Sequence, residues 1–140
     1  MKAEAVLATD YQPAEDEPFM NDRQLEYFRK KLTDWKNSIV ADSRETIEGM
    51  QEGARNIPDV ADRASEETDR ALELRTRDRE RKLVSKIDAA LRRIEEGTYG
   101  YCEETGEPIS LKRLDARPIA TLSLEAQERH ERKEKVHRDD

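Results

Sequence analysis

The sequence lacks what a disulfide-stabilised or membrane-spanning protein needs. It has one cysteine, Cys102, and two histidines among 140 residues. A single thiol cannot form an intramolecular disulfide. No apolar run approaches the roughly 20 residues that span a bilayer, and the N-terminus has no apolar signal core. These absences predict a cytoplasmic protein with no membrane segment.

Apolar residues are also scarce, and this limits the size of any core. The hydrophobic set makes up 34% of the chain, the aromatic residues 5% and the charged residues 42%. Because the apolar residues recur at helical spacing, the composition favours extended helices over disorder. The net charge of −7 argues against general affinity for nucleic acid. We therefore expect no direct sequence-specific binding to DNA.

Two long segments carry helical periodicity. Residues 1–20 are rich in turn formers and predict an irregular segment, after which Asn21 or Asp22 is a candidate helix cap. The first segment then has a heptad-like seam: Leu25, Phe28, Leu32, Trp35 and Ile39. The second has a thinner apolar line: Ala64, Ala71, Leu72, Leu83, Ile87, Ala90, Leu91 and Ile94.

The chain breaks between these segments and again after the second. Pro58 prevents continuation of the first helix, and Gly97 is a plausible stop for the second. A short link makes the two helices an antiparallel pair. The sequence thus predicts a mainly α fold: an irregular segment at 1–20, a coiled-coil hairpin at 21–97 with its tip at 56–64, and a small globular end with a C-terminal helix at 98–140.

The residues after Gly97 predict a compact knuckle around Cys102. A structural zinc ribbon needs four thiolate or imidazole ligands, commonly as two C-x2-C pairs. Here Thr105 occupies the second position of the first pair. His130 and His137 lie seven residues apart and are better explained as surface residues. We expect no zinc, and we interpret Cys102 as a small buried residue.

Two charged features have both a structural and a functional interpretation. Asp59 and Asp62 are three residues apart and share one helical face at the predicted tip. They either cap the second helix or carry carboxylates to a metal or basic site of a partner. The basic run over residues 75–82 is either a solvated face with weak ion pairs or a contact surface for an acidic partner. No catalytic constellation is present, so we predict no enzymatic activity.

Three segments of the chain resemble the DksA family of bacterial RNA polymerase regulators. They are the tip Asp59-x-x-Asp62-x-Ala64, the arm over residues 72–83, and Gly100-Tyr101-Cys102 followed by the Arg113–Pro118 element. The resemblance implies a monomer that inserts its coiled coil into the secondary channel of RNA polymerase. It also implies destabilised open promoter complexes, inhibition of ribosomal RNA promoters, and activation of some biosynthetic promoters in the stringent response, potentiated by ppGpp.

The resemblance assigns roles to individual residues. Asp59, Asp62 and Ala64 match the tip residues, and Arg79 matches a polymerase contact on the arm. Three residues match positions that line the ppGpp site: Leu83, Lys86 and Arg117. The family has a lysine at the position of Gln127. No cofactor is implied as a requirement, and ppGpp acts as an effector at the polymerase interface.

The family's four zinc ligands fall on Cys102, Thr105, Ser123 and Ala126, so three of the four are absent. We then expect packing of apolar and aromatic side chains, rather than a metal ion, to stabilise the globular end. The expected core residues are Tyr99, Tyr101, Ile109, Leu114, Ile119 and Leu122.

Two other functions remain open from the sequence. A Gre-like factor would stimulate transcript cleavage by polymerase, and it too would place acidic residues at a coiled-coil tip. Such factors begin with their hairpin and continue into a larger β-rich domain. A structural coiled-coil adaptor would use the tip acids only as caps and would self-associate.

Overall fold

The structure, a computed structural model, describes residues 10–55 and 60–139 and is helical there. Two long helices, α1 (Asp22–Arg55) and α2 (Val60–Glu96), precede a short α3 (Leu111–Ala116) and α4 (Leu124–Asp139). Over the same residues the only β-type pairing is an isolated bridge between Tyr101 and Pro108. None of these helices combines the length and apolar content that a membrane span requires. The predicted mainly α fold is confirmed.

The contacts divide the chain into two compact units. The end unit comprises Met1–Leu32 and Ala89–Asp140, and the arm unit is Thr33–Asp88. Each unit contains part of α1 and part of α2. The three-part division predicted from the sequence stays a prediction.

The start of α1 is fixed by reciprocal hydrogen bonds. The Asn21 side-chain oxygen accepts the Gln24 backbone N–H at 2.9 Å. In return, the Gln24 side-chain oxygen accepts the Met20 backbone N–H at 2.8 Å. The first backbone N–H groups of a helix have no hydrogen-bond partner within the helix. The two side-chain oxygens supply partners to backbone N–H groups at this end. Asn21, one of the two candidate caps, therefore caps α1.

The heptad-like seam of α1 is the buried face of this helix. In the end unit Leu25 is 8% exposed, and Phe28 and Leu32 are fully buried. In the arm unit Ile39 is 8% exposed, whereas Trp35 is only half-buried. The 3.6-residue period thus located the interior of α1 correctly.

From residue 65 onward, where burial is described, the apolar line of α2 is buried towards the C-terminus of that helix. Ile87, Ala90 and Ile94 are buried, and Leu83 is half-buried. Leu72 is 53% exposed, so this part of α2 presents apolar surface to solvent. The small number of apolar residues in the second segment therefore corresponds to a small hydrophobic interior.

Within the arm unit, α1 and α2 run antiparallel. The Lys36 ammonium lies 2.7 Å from a carboxylate oxygen of Asp88. Further along α1, the Ser43 hydroxyl donates to Glu80 at 2.6 Å. The partner on α2 moves towards its N-terminus as the residue on α1 moves towards its C-terminus. This order fits only an antiparallel pair.

Helix α2 ends at a glycine in the left-handed conformation. Gly97 has a φ of +79°. This backbone conformation is sterically unfavourable for a residue with a side chain but not for glycine. The Thr98 N–H then reaches the Arg93 carbonyl at 2.9 Å, and the Gly97 N–H reaches the Ile94 carbonyl at 3.2 Å. These bonds satisfy carbonyls that the helix leaves without partners. The predicted stop at Gly97 is confirmed.

The end unit holds most of the buried apolar side chains. Of the six residues expected in its core, Tyr99, Ile109 and Leu114 are essentially buried, and Ile119 and Leu122 are half-buried. Tyr101 is 40% exposed, so its placement in the core was wrong. Its ring instead packs edge-on against Phe19 at a centroid distance of 5.3 Å.

Residues 10–21 contain no helix or strand before α1 begins, and Phe19 and Met20 pack on the knuckle. Residues 1–9 of the predicted irregular segment lie outside the described residues. A side chain at Gly100 would place a Cβ 3.0 Å from the Met20 side chain and 3.2 Å from the Phe19 ring. Gly100 also has a φ of +93°. Glycine is therefore required at this position both by its backbone and by the close approach of residues 19–20.

A polar cluster joins α1 to α3 within the end unit. The Asp115 carboxylate accepts hydrogen bonds from the Tyr27 hydroxyl at 2.5 Å and the Lys31 ammonium at 2.7 Å. Lys31 also donates to the Asp115 carbonyl at 2.7 Å. Partial burial favours the neutral form of Asp115, but these hydrogen bonds outweigh it and lower the pKa of the carboxyl group. Burial and the Asp115 charge raise the pKa of Tyr27 to about 12.

We expect Asp115→Asn to lower the free energy of unfolding by about 1 kcal/mol at pH 7, because a charge-assisted pair becomes a neutral one. A lowered folded pKa means that the ionised carboxylate contributes stability above its unfolded pKa, near 3.9. That contribution is lost as the pH falls through the folded value. The difference between wild type and variant, measured by urea denaturation, should therefore shrink below about pH 4.

Asp16→Asn is the matched control, since Asp16 is exposed in the same unit. It should change stability by less than about 0.5 kcal/mol at any pH. A constant difference between Asp115→Asn and wild type from pH 7 to pH 2 would contradict the role given to the charge.

Candidate functional site

The four zinc-ligand positions of the family, called the zinc frame below, include Cys102, which lies in a hydrogen-bonded turn of the knuckle. The Cys102 N–H donates to the Glu107 carbonyl at 2.8 Å, and the Gly106 N–H returns to the Cys102 carbonyl at 2.8 Å. Cys102 is 2% exposed and Ala126 is fully buried. The prediction that Cys102 is a small buried residue is confirmed.

The two hydroxyl residues of the frame serve local backbone groups. The Ser123 hydroxyl accepts the Ala126 N–H at 3.2 Å and so caps the start of α4. The Thr105 hydroxyl accepts the Glu107 N–H at 3.2 Å. Both positions thus stabilise the local backbone.

The Cys102 thiol is buried and accepts several hydrogen bonds within this knuckle. Burial by itself raises the pKa of the thiol. Hydrogen bonds to the sulfur act in the opposite direction, and they come from the Ser123 backbone, from the Thr105 hydroxyl and backbone, and from the Glu104 backbone. Together they outweigh burial and lower the pKa of Cys102 to about 6. The donors therefore stabilise a thiolate.

The frame does not fit a tetrahedral zinc ion. It offers one thiol, two neutral hydroxyl groups and one methyl group, whereas structural zinc is held by thiolate and imidazole. Over residues 10–55 and 60–139, no three His, Cys, Asp or Glu side chains are grouped so as to hold a metal. His130 is exposed and lies 2.9 Å from Glu104, as expected of a surface histidine.

The arm residues singled out by the resemblance lie on α2. Arg79 and Lys86 are exposed and Leu83 is half-buried. Their spacing of four and three residues places them on one face of the helix. The Arg79 guanidinium lies 3.5 Å from the Thr76 hydroxyl, so its charge remains available to a partner. The structure therefore brings these three residues together on one surface of the arm unit.

Arg117 and Gln127 belong to the end unit. Arg117 is exposed at the end of α3, where its backbone N–H bonds to the Arg113 carbonyl at 2.8 Å. Gln127 is half-buried on α4 and donates to Glu131 at 3.2 Å. Arg117 follows Asp115 by two residues, so the cluster with Tyr27 and Lys31 also constrains the backbone that carries it.

The tip is described only in part. Asp62 and Ala64 are the third and fifth residues of α2, in its first turns. Asp59 lies outside the described residues. The roles of all three residues stay predictions.

Sequence reasoning missed the polar contacts between elements. Ser43 with Glu80, and Lys31 with Asp115, are 37 and 84 residues apart in the chain. A single sequence gives no signal for such pairs, because any of its many charged residues could have been the partner. Each pair joins two different helices.

Comparison with known proteins places these features in one family. Residues 24–94 match the model of the N-terminal domain of the DnaK suppressor protein DksA. Residues 97–132 match the model of the prokaryotic dksA/traR C4-type zinc finger. The second match includes the knuckle in which one of the four cysteines remains.

The relatives are similar over nearly the whole chain. The RNA polymerase-binding transcription factor DksA of Caulobacter vibrioides (strain NA1000 / CB15N) is 71% identical over 135 residues, covering 96% of this chain and 95% of the relative. The factor of the same name from Escherichia coli (strain K12) is 43% identical over 125 residues, covering 89% of this chain and 83% of the relative.

A solved structure also agrees with the fold. Transcription factor DksA2 from Pseudomonas aeruginosa matches with a TM-score of 0.80 and 42% sequence identity, covering 89% of this chain and 94% of that one. The arm, the knuckle and these similarities lead to one conclusion. The chain belongs to the DksA family.

Proposed function

We propose that this protein binds RNA polymerase and regulates transcription by inserting its helical hairpin into the secondary channel. The observation that carries the proposal is the arm unit, an antiparallel helix pair on which Arg79 and Lys86 are exposed to solvent. Such a helix pair buries few side chains and is narrow enough to enter a channel in a partner. The relatives named RNA polymerase-binding transcription factors support the same partner.

The proposed effect is on open promoter complexes. The tip residues Asp59, Asp62 and Ala64 approach the catalytic centre of polymerase and lower the lifetime of open complexes. Ribosomal RNA promoters are therefore inhibited, and some biosynthetic promoters are activated. The protein supplies no catalysis of its own, acts as a monomer in the cytoplasm, and makes no sequence-specific contacts with DNA.

The proposed effector is ppGpp, bound between the factor and polymerase. Leu83 and Lys86 on α2 and Arg117 after α3 contribute to this site. Ammonium and guanidinium groups suit phosphate oxygens, and guanidinium binds them bidentately. Gln127 replaces a lysine of the family and removes one positive charge from this region.

Two rival functions receive less support. A Gre-like factor would continue into a β-rich domain, whereas residues 60–139 hold one isolated bridge and no strand. A structural adaptor would not require an exposed Arg79, Lys86 and Arg117. In vitro transcription from a ribosomal RNA promoter with and without ppGpp, together with cleavage of backtracked complexes, separates the three. The proposal requires promoter inhibition without stimulated cleavage.

Asp62→Asn tests whether the tip acts by its charge. Asparagine keeps the shape and the capping ability of aspartate, so stability should fall by less than about 1 kcal/mol. The variant should bind polymerase normally but fail to shorten the lifetime of open complexes. Asp69→Asn, at an exposed position further along α2, is the control and should behave as wild type. Full promoter inhibition by Asp62→Asn would leave capping as the only role of Asp62.

Lys86→Ala and Arg117→Ala test the effector site. Each removes one charge-assisted contact to phosphate, so about ten-fold more ppGpp should be needed for half-maximal potentiation. Binding to polymerase without ppGpp should change much less. Lys112→Ala, an exposed lysine of α3, is the control. Gln127→Lys should strengthen the response. Wild-type responses from both alanine variants would refute the site.

Removal of metal tests whether the knuckle is held by packing. Chelation should leave the melting temperature and promoter inhibition unchanged, and elemental analysis should find far less than one zinc per chain. Cys102→Ser should also inhibit the promoter in the presence of peroxide. The triple variant Thr105→Cys, Ser123→Cys, Ala126→Cys is the control, since it restores four ligands and should gain zinc-dependent stability. One tightly bound zinc per wild-type chain would contradict this account.

A further inference from the structure

Arg117 is an exposed residue in a backbone segment that is held by side chains from distant parts of the end unit. The Lys31 ammonium on α1 donates to the Asp115 carbonyl at 2.7 Å. The hydroxyl of Tyr99, a residue just after α2, donates to the Pro118 carbonyl at 2.7 Å. Tyr99 and Pro118 are buried, whereas Arg117 is exposed. Carbonyl groups before and after Arg117 are therefore bonded to donors that lie 84 and 19 residues away along the chain.

The backbone of Arg117 itself is hydrogen-bonded at both of its polar groups. Its N–H donates to the Arg113 carbonyl at 2.8 Å, and its carbonyl accepts the Ala120 N–H at 3.0 Å. These partners are close in sequence, so they set the shape of the turn after α3 but not its attachment to the rest of the end unit. The bonds from Lys31 and Tyr99 set that attachment, because their donors lie on α1 and after α2.

The Asp115 side chain adds to the attachment at Lys31. The Lys31 ammonium donates to the Asp115 carboxylate at 2.7 Å as well as to the carbonyl, and the Tyr27 hydroxyl donates to the same carboxylate. The ammonium also lies 5.7 Å from the centre of the Tyr27 ring, within the range of a cation–π contact. Asp115 is therefore held at both its backbone carbonyl and its carboxylate, two residues before Arg117.

The order of this segment matters because a guanidinium binds phosphate through a directional pair of hydrogen bonds. Two parallel N–H groups meet two oxygens, so geometry contributes to affinity together with charge. Binding also orders groups that were free to move, at a cost in entropy. A backbone that is ordered before binding removes its part of this cost. The bonds around Arg117 thus preorganise the point from which the exposed guanidinium extends.

We propose that Lys31 and Tyr99 are positioning residues that hold the backbone of Arg117 for the binding of a phosphate group. They act on the ligand only through Arg117. In the function proposed above the phosphate belongs to ppGpp, so this part of the inference rests on that function. The ordering of Arg117 does not rest on it, because it is a property of the free protein.

Two variants each remove one attachment with little change in shape. Lys31→Met keeps the aliphatic stem but removes both bonds to Asp115, and Tyr99→Phe removes only the hydroxyl. Lys112→Met, at an exposed lysine of α3, is the matched control for the lost charge. Tyr101→Phe, whose ring is 40% exposed, is the matched control for the lost hydroxyl. Lys31→Arg keeps a donor for the same acceptors and should behave as wild type.

Nuclear magnetic resonance relaxation of backbone amides reports the ordering in the free protein. The Arg117 amide of wild type should have an order parameter of about 0.85, the value of rigid backbone, and both attachment variants should have a clearly lower one. Both controls should keep the wild-type value. A role confined to stability would lower the melting temperature and leave the Arg117 order parameter of the folded protein unchanged.

Titration with ppGpp in the polymerase assay tests the connection to the ligand. Each attachment variant should need about three-fold more ppGpp for half-maximal potentiation, whereas potentiation at saturating ppGpp should reach the wild-type level. In the Arg117→Ala background, Lys31→Met and Tyr99→Phe should cause no further change, because they act through the missing guanidinium. A general loss of stability would instead add to the effect of Arg117→Ala.

Each outcome decides a separate claim. Wild-type order parameters for Arg117 in both attachment variants would overturn the positioning role. A lowered order parameter with an unchanged ppGpp requirement, or an equal shift in the Arg117→Ala background, would overturn its connection to the ligand. A wild-type protein that does not respond to ppGpp would instead refute the proposed function, while the relaxation measurement would still decide the positioning role.

Discussion

The pairing of α1 with α2 through narrow apolar stripes is the constraint on which the rest of this protein depends. In the end unit these stripes include Phe28, Leu32 and Ile94, all buried. Each fully buried aliphatic or aromatic side chain contributes about 1.5–3 kcal/mol. In the arm unit the buried apolar residues of the described segments are Ile39 and Ile87. The arm thus has a thin interior, and most of its surface remains available to a partner.

The end unit, in which three of the four zinc-ligand positions of the family are not ligands, contains buried side chains and hydrogen bonds between its segments. Tyr99 is almost fully buried, and its hydroxyl donates to the Pro118 carbonyl at 2.7 Å. Around Cys102, backbone groups of Ser123, Thr105 and Glu104 donate hydrogen bonds to the sulfur. Ser123 has become a helix cap. The residues at these positions therefore bond to nearby backbone groups and do not offer the ligand set of a structural zinc site.

The sequence predicted what depends on local rules. The period of Leu25, Phe28 and Leu32, and the stop at Gly97, follow from helix geometry and backbone sterics, and the structure confirms them. The mismatch with a zinc site follows from the residues that this sequence has at the four positions where the resembling family has its zinc ligands.

Contacts between distant segments could not be predicted in this way. Tyr101 has the aromatic character of a core residue, but the ring of Phe19 covers one edge of it and leaves it 40% exposed. The Tyr27, Lys31 and Asp115 cluster depends on where α3 lies, which no local pattern specifies. The same holds for Ser43 and Glu80. These contacts are set by tertiary packing, and they position the surfaces to which the proposed function is assigned.

The central claim is that the hairpin carries its tip into the secondary channel of RNA polymerase. Site-specific photo-crosslinking tests it most directly, with the photoreactive residue at position 62 in one protein and at exposed Asp16 of the end unit in another. The account predicts that position 62 crosslinks to polymerase segments beside the catalytic centre, and that position 16 does not. Crosslinks from position 62 only to the outer surface of polymerase, or none above the level of position 16, would contradict it.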